Sequence, residues 1–124
     1  MADVVIARLY TDEAGESHFG TWEWHAVEAE FAPPAPPVEV TEPVPAERAL
    51  ILRIPAGWFG EPHPAPQRQL MVVVAGCIET TVSDGETRQL TPGSAILLED
   101  TTGLGHTSRA VDGEALIAVT QLKD

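Results

Sequence analysis

Three side chains in this sequence have the type and setting to do chemistry: His63, Gln69 and His106. His63 stands between prolines in "GWFGEPHPAPQRQLMVVVAG", and Gln69 follows six positions later, where an apolar run begins. His106 closes "EDTTGLGH" and opens "HTSRAV", again at the mouth of an apolar run. A neutral imidazole accepts or gives a proton near pH 7, and a glutamine amide holds a substrate oxygen or orients a water. That combination suits an isomerisation, a cyclisation or an elimination next to a carbonyl. The same imidazoles can ligate a divalent cation, with the Gln69 amide oxygen as a weaker third donor. The plain alternative is a pair of hydrogen-bonded structural histidines on an apolar face.

The elements that must position these groups are strands. Nowhere do apolar residues recur at helical spacing over three turns, and Pro or Gly interrupts most long windows. Strand patterns are frequent instead: "VVIARLY", "TWEWHAVEAEF", "RALILRI", "LMVVVAG", "CIETTVS", "AILLE", "HTSRAV" and "ALIAVTQL", separated by Asp, Gly and Pro. "ETTVSDGETRQL" predicts a hairpin with Asp84-Gly85 as a two-residue turn of positive φ at both positions. "TPGSAILLED" predicts a turn at Pro92-Gly93 feeding another strand. The proline-dense segment 32–47 predicts an extended connector wrapping the domain. The expected architecture is one all-β domain over 1–124, a sandwich or barrel.

Period-two alternation puts His63, Ala65, Gln67, Gln69, Met71 and Val73 on one face, and Arg68, Leu70, Val72 and Val74 on the other. The first face mixes polar groups with an apolar wall, the profile of a ligand pocket. The second predicts packing against another layer or a partner subunit, with Arg68 in a salt bridge or subunit contact. His106, Ser108 and Ala110 share a face of their own. Trp58 and Phe59 close over a ring-bearing ligand at the cavity mouth or pack the rim. Trp22 and Trp24 share one strand face as core or interface packing, with His25 opposite. The two carboxyl groups of "LED", Glu99 and Asp100, point to opposite faces and need another strand to act together.

The bulk numbers narrow the partners. At 124 residues, 44% hydrophobic and 21% charged, the composition is that of a folded globular domain. A net charge of −12, from 19 acidic and 7 basic residues, repels phosphates, so neither nucleic acid nor an anionic membrane is an expected partner. The longest apolar run, "LMVVVAGCI", is about half the length of a membrane-spanning helix. A single cysteine, Cys77, and a start without a long apolar stretch predict a cytoplasmic protein, with Cys77 structural.

The spacing of the polar and glycine residues resembles that of the cupins, small jelly-roll β-barrels. Their first motif runs Gly, five residues, His-x-His, three or four residues, Glu, six residues, Gly. Residues 57–76 match it with Gly57, His63 and Gly76, while Ala65 replaces the second His and Gln69 the Glu. The second motif, over 92–110, matches with Pro92-Gly93, Gly103 and His106, while Ala110 replaces an Asn. The resemblance implies a single-domain cupin barrel, a homodimer, and a small partly apolar molecule bound inside. In metal-binding cupins three His and one Glu hold the ion; here only His63 and His106 carry over, with Gln69 in the acid's place. The leading expectation is therefore a metal-independent acid/base enzyme of isomerase, cyclase or lyase type. His63, His106 and Gln69 would be catalytic, and Trp58, Phe59, Gln67, Met71 and Ser108 would contact substrate. The alternatives are a metal-dependent oxygenase or polyketide-cyclase-like enzyme with weakly bound Fe, Mn, Ni or Zn on His63, His106 and Gln69, and a non-catalytic ligand-binding module.

Overall fold

The computed structural model describes residues 3–124, and all of its regular structure is β. The strands are β1 (Val4–Thr11), β2 (Ser17–Trp24), β3 (Ala26–Ala29), β4 (Val38–Thr41), β5 (Ala46–Ile54), β6 (Phe59–His63), β7 (Gln69–Ala75), β8 (Ile78–Val82), β9 (Thr87–Leu90), β10 (Ala95–Leu98), β11 (His106–Ala110) and β12 (Ala115–Leu122). A six-stranded sheet has the order β2-β1-β10-β7-β12-β5, and a four-stranded sheet the order β6-β11-β8-β9. The chain crosses repeatedly between the two, as in a jelly roll. Their hydrogen-bond ladders remain separate, so the expected barrel is two facing sheets, with β3 and β4 forming a ribbon of their own.

The core lies between the sheets and follows the period of the pleat. Along β12, Ala115, Ile117, Val119 and Gln121 are buried, and the three apolar ones join Leu9, Val73, Ile96 and Leu98 of the same sheet and Ile78 of the opposite sheet in one continuous cluster. Leu9 and Ile117 are wholly enclosed, so truncating either to alanine should cost about 2–5 kcal/mol. On the outward face of the large sheet Leu70 and Val72 are half-buried, while Val74 is exposed. Arg68 and Arg8 share the Glu99 carboxyl there, the former at 2.7 Å. Burial works to raise that carboxyl's pKa, but the two guanidinium groups outweigh it and hold it below the ordinary glutamate range. Trp22 and Trp24 stack on the same outer face, centroids 4.4 Å apart, opposite Ile6 and Val4, rather than entering the core.

Two local expectations change. The 32–47 connector contains β4, because "VEVT" is a proline-free alternating run whose amides can pair with β3 from Ala26↔Thr41 to Ala29↔Val38. The hairpin between β8 and β9 exists, but only Gly85 has positive φ (101°); Asp84 does not. Its Oδ1 accepts the Glu86 amide at 2.9 Å, and Val82 N–H bonds the Glu86 carbonyl at 3.0 Å across a three-residue loop.

That loop is tied to the opposite sheet. His18, at the start of β2, lies between Asp12 and Asp84, with each ring nitrogen 2.7 Å from a carboxyl oxygen. Both nitrogens can donate only in the imidazolium form. The hydrogen bond to Asp12, then that to Asp84, raises the His18 pKa above its ordinary value. A raised pKa in the folded state contributes stability in full below the unfolded value of about 6.5 and loses it as pH rises through the folded value. Both carboxyls are held low: Asp12 chiefly by His18, and Asp84 chiefly by the Glu86 amide with His18 second. The stability difference between the native chain and His18→Asn in urea unfolding should therefore be larger at pH 6 than at pH 9. An equal difference at both would show that the clamp carries no charge.

Candidate functional site

The two histidines meet because their strands pair. β11 lies antiparallel between β6 and β8, and His106 stands directly opposite His63. The ring centroids are 4.8 Å apart at 54°. A bulge makes this possible: Ser108 pairs with Gly60 and His106 with His63, so β6 spends one more residue than β11 over the same span. Pro62 sits within the bulge and has no amide to give the ladder. The extra residue reverses the phase of the pleat. Trp58 and His63 thereby both line the cavity, although strict alternation would put them on opposite faces.

Glycines supply the space. A Cβ on Gly105 would lie 2.1 Å from the His63 carbonyl carbon and oxygen, and its φ is +71°. The start of β11 therefore presses directly on the end of β6, held by Ser17, whose hydroxyl donates to the Gly105 carbonyl at 2.6 Å. A Cβ on Gly60 would meet the Trp58 ring at 2.5 Å and His63 Cε1 at 3.1 Å, so its bare backbone leaves room for both rings.

Each imidazole is oriented through Nδ1. His63 Nδ1 donates to the Glu61 carbonyl within the bulge. His106 Nδ1 lies 2.6 Å from Asp100 Oδ2. Asp100 is fully enclosed and His106 only 7% exposed. Both rings therefore carry the Nδ1 proton, and Nε2 is the nitrogen left for a ligand. Among the described residues Asp100 Oδ1 is the one buried side-chain oxygen or nitrogen without a partner. Leaving a buried oxygen unpaired costs about 1–3 kcal/mol. Glu99 and Asp100 point to opposite faces, as alternation predicts: Asp100 turns inward to His106 on β11, and Glu99 turns outward to Arg8 and Arg68.

The cavity beside the rings has a volume of about 370 Å³, within the range of small-molecule sites. Leu50, Leu52, Ile54, Met71, Ile117 and Val119 form its apolar wall. Of the expected substrate contacts, Trp58, Met71 and Ser108 line it, and Gln69 does so while 6% exposed. Phe59 does not: it is 56% exposed, because it lies on the face of β6 away from Trp58. Gln67 does not either. Residues 64–68 form the corner between sheets rather than continuing one strand, and Gln67 Nε2 donates to the Leu122 carbonyl at 3.0 Å. Gln121 was missed, although a lone polar residue on the buried face of "ALIAVTQL" was a readable signal. Its Nε2 donates to Gln69 Oε1 at 3.2 Å, and its own Oε1 accepts Arg48 Nε at 2.9 Å.

A metal fits this donor set poorly. Ala65 has no ligand atom, the Gln69 oxygen is engaged by Gln121, and Asp100 Oδ2 is committed to His106. His18, His25, Glu61 and Cys77 do not line the cavity, and among the described residues no group of three His, Cys, Asp or Glu is arranged to hold a metal ion. Two imidazoles without a carboxyl or thiol fall short of the three or four donors of a protein metal site.

No family model matches the sequence, and no curated protein does either. Solved structures do. The cupin domain of Cnp3 from Schizosaccharomyces pombe aligns over 100% of this chain and 86% of its own, with 14% identity and a TM-score of 0.51. KdgF from Halomonas sp. aligns over 68% of this chain and 76% of its own, with 27% identity and a TM-score of 0.50. A Streptococcus pyogenes protein of unknown function, SPY1581, aligns over 61% of this chain at 20% identity with a TM-score of 0.49, and the match spans 64% of that protein. The chain has the cupin fold that its motif spacing implied. None of its described elements is a helix long and apolar enough to cross a membrane.

The tautomers are directly measurable. Long-range ¹⁵N–¹H spectra at alkaline pH should show His63 and His106 both protonated at Nδ1, and Asp100→Ala should remove that preference at His106 alone. Protonation at Nε2 in the native chain would overturn the assignment. Gly105→Ala should cost at least about 2 kcal/mol in denaturant unfolding, since it combines a backbone clash with a left-handed φ.

Proposed function

We propose that this small cupin transfers protons on a small, largely apolar carbonyl compound bound between its sheets. The observation that carries the reading is the His63–His106 pair. Two imidazoles, each fixed through Nδ1, stand side by side on the wall of a largely apolar cavity. With the Nε2 lone pairs free, one ring takes the proton from a carbon next to the carbonyl. The electron pair moves onto the carbonyl oxygen, and the proton returns at a neighbouring carbon or to a leaving heteroatom. That sequence covers isomerisation, enol-forming cyclisation and elimination. Asp100 acts through His106 as a positioning residue: it keeps the ring's Nδ1 proton turned away from substrate. Trp58 lines the cavity near His63, and the apolar wall disfavours water that would compete for the transferred proton. No step requires a resident metal, in keeping with the donor set.

The reading can be tested before the physiological substrate is known. Incubation with small ketones, aldehydes and β-dicarbonyl compounds in D₂O should show enzyme-dependent exchange of the hydrogen next to the carbonyl by proton NMR. His63→Ala and His106→Ala should each slow that exchange about 10²–10⁴-fold. Exchange at the native rate in both variants would remove the pair from the chemistry. Near-stoichiometric Fe, Mn, Ni or Zn in protein purified without chelators, lost in both variants together with exchange, would favour the metal-dependent reading instead.

A further inference from the structure

Three adjacent strands of the large sheet, β5, β12 and β7, place Arg48, Gln121 and Gln69 side by side in one row across the ladder. Their hydrogen bonds have a direction. A guanidinium only donates, so the Gln121 amide must turn its oxygen to Arg48. The Gln121 NH₂ then faces Gln69 and donates to Oε1 at 3.2 Å. Gln69 has one orientation left. Its NH₂ points toward the cavity, where its one protein neighbour is Met71 Sδ at 3.7 Å, a weak acceptor that leaves the donor available. Gln69 and Gln121 are 6% and 7% exposed, so water does not easily scramble the order.

We infer that Arg48 and Gln121 are positioning residues that set Gln69 as a fixed hydrogen-bond donor, and that the cavity thereby selects a neutral carbonyl oxygen. The inference rests on the proton-transfer reading for what happens next to that oxygen, but not for the binding preference itself. The rest of the wall supports the choice. The Ser108 hydroxyl is 3.3 Å from Thr80 Oγ1, and the remaining lining is mostly aliphatic. Among the described residues no free guanidinium or ammonium group lines the cavity to recognise a carboxylate: Arg48 is turned to Gln121, and Arg53 at the rim pairs with Glu114 at 3.1 Å. A net charge of −12 further disfavours an anion. In a cavity with this bias, a carbonyl with an apolar body makes the Gln69 bond, whereas a donor group meets another donor.

The decisive variant is Gln121→Glu. It keeps the acceptor for Arg48 and the shape of the side chain, but it can no longer donate to Gln69. The Gln69 amide should turn over, give its NH₂ to the new carboxyl group and show its oxygen to the cavity. Acetophenone and ethylbenzene are suitable probes, being similar in shape and differing in the carbonyl oxygen. By NMR titration the native chain should prefer acetophenone, and that preference should fall about fivefold or more in Gln121→Glu. Arg48→Met, at an exposed position, should lower it as well by releasing the Gln121 amide, with thermal unfolding of the chain little changed. An absent preference in the native chain, or the same preference in both variants, overturns the inference. A preference that vanishes in Gln121→Glu sustains it, even if His63→Ala and His106→Ala retain deuterium exchange; in that case only the proton-transfer reading fails.

Discussion

The close contact of Gly105 with the end of β6 is the constraint on which the site depends. Backbone meets backbone there with no room for a side chain, and this seats His106 opposite His63. Ser17 holds the contact from the large sheet through the Gly105 carbonyl and also exchanges hydrogen bonds with Ser83 at the β8–β9 turn. The His18 clamp crosses the same seam from the next residue along β2, between Asp12 and Asp84. The imidazole pair is thus anchored to both sheets, and its geometry is a property of the whole fold rather than of one loop.

The cavity divides its labour by strand. β6 and β11 of the small sheet bring the two imidazole rings, and β5, β12 and β7 of the large sheet bring an apolar floor crossed by one polar row. In the usual cupin pattern an acid at the position of Gln69 would face a metal. Here an amide takes its place and is capped by Gln121, so the large sheet offers a directed hydrogen bond instead of a charge. The loss of the second motif histidine at Ala65 is consistent with the same change: Ala65 is buried, and its amide donates to the Asp100 carbonyl at 2.9 Å. The segment that would have carried a ligand holds the positioning carboxyl's backbone in place.

Period-two patterning was enough to locate most strands and to put His63, Gln69 and Met71 on one face and His106 and Ser108 on another; that both faces line one cavity was implied only by the cupin resemblance. Alternation failed wherever the pleat changed phase. The bulge at Pro62 turned Trp58 inward and left Phe59 in solvent, and the sheet-to-sheet corner at 64–68 carried Gln67 out of the cavity. Short strands were also hard to see. β4 lay hidden among prolines, and β6 contains one. Asp100 and Arg48 carried no local signal, since a carboxyl after a strand and an arginine on an edge strand are ordinary surface residues until a partner is known.

What the amino-acid order determined alone was the β class, the turn positions marked by Gly85 and Gly93, the motif spacing of the cupins, and the chemical types available to the site. These depend on local backbone preference and alternation, which a linear chain expresses directly. Tertiary structure alone decided that His106 would take Asp100 as its partner, that Gln69 would present its NH₂ rather than its oxygen, and which aromatic would reach the cavity. Each of those outcomes depends on a hydrogen bond or a register between strands distant in sequence. Such pairings are set by the packing of two sheets, and no pattern within a single segment encodes them.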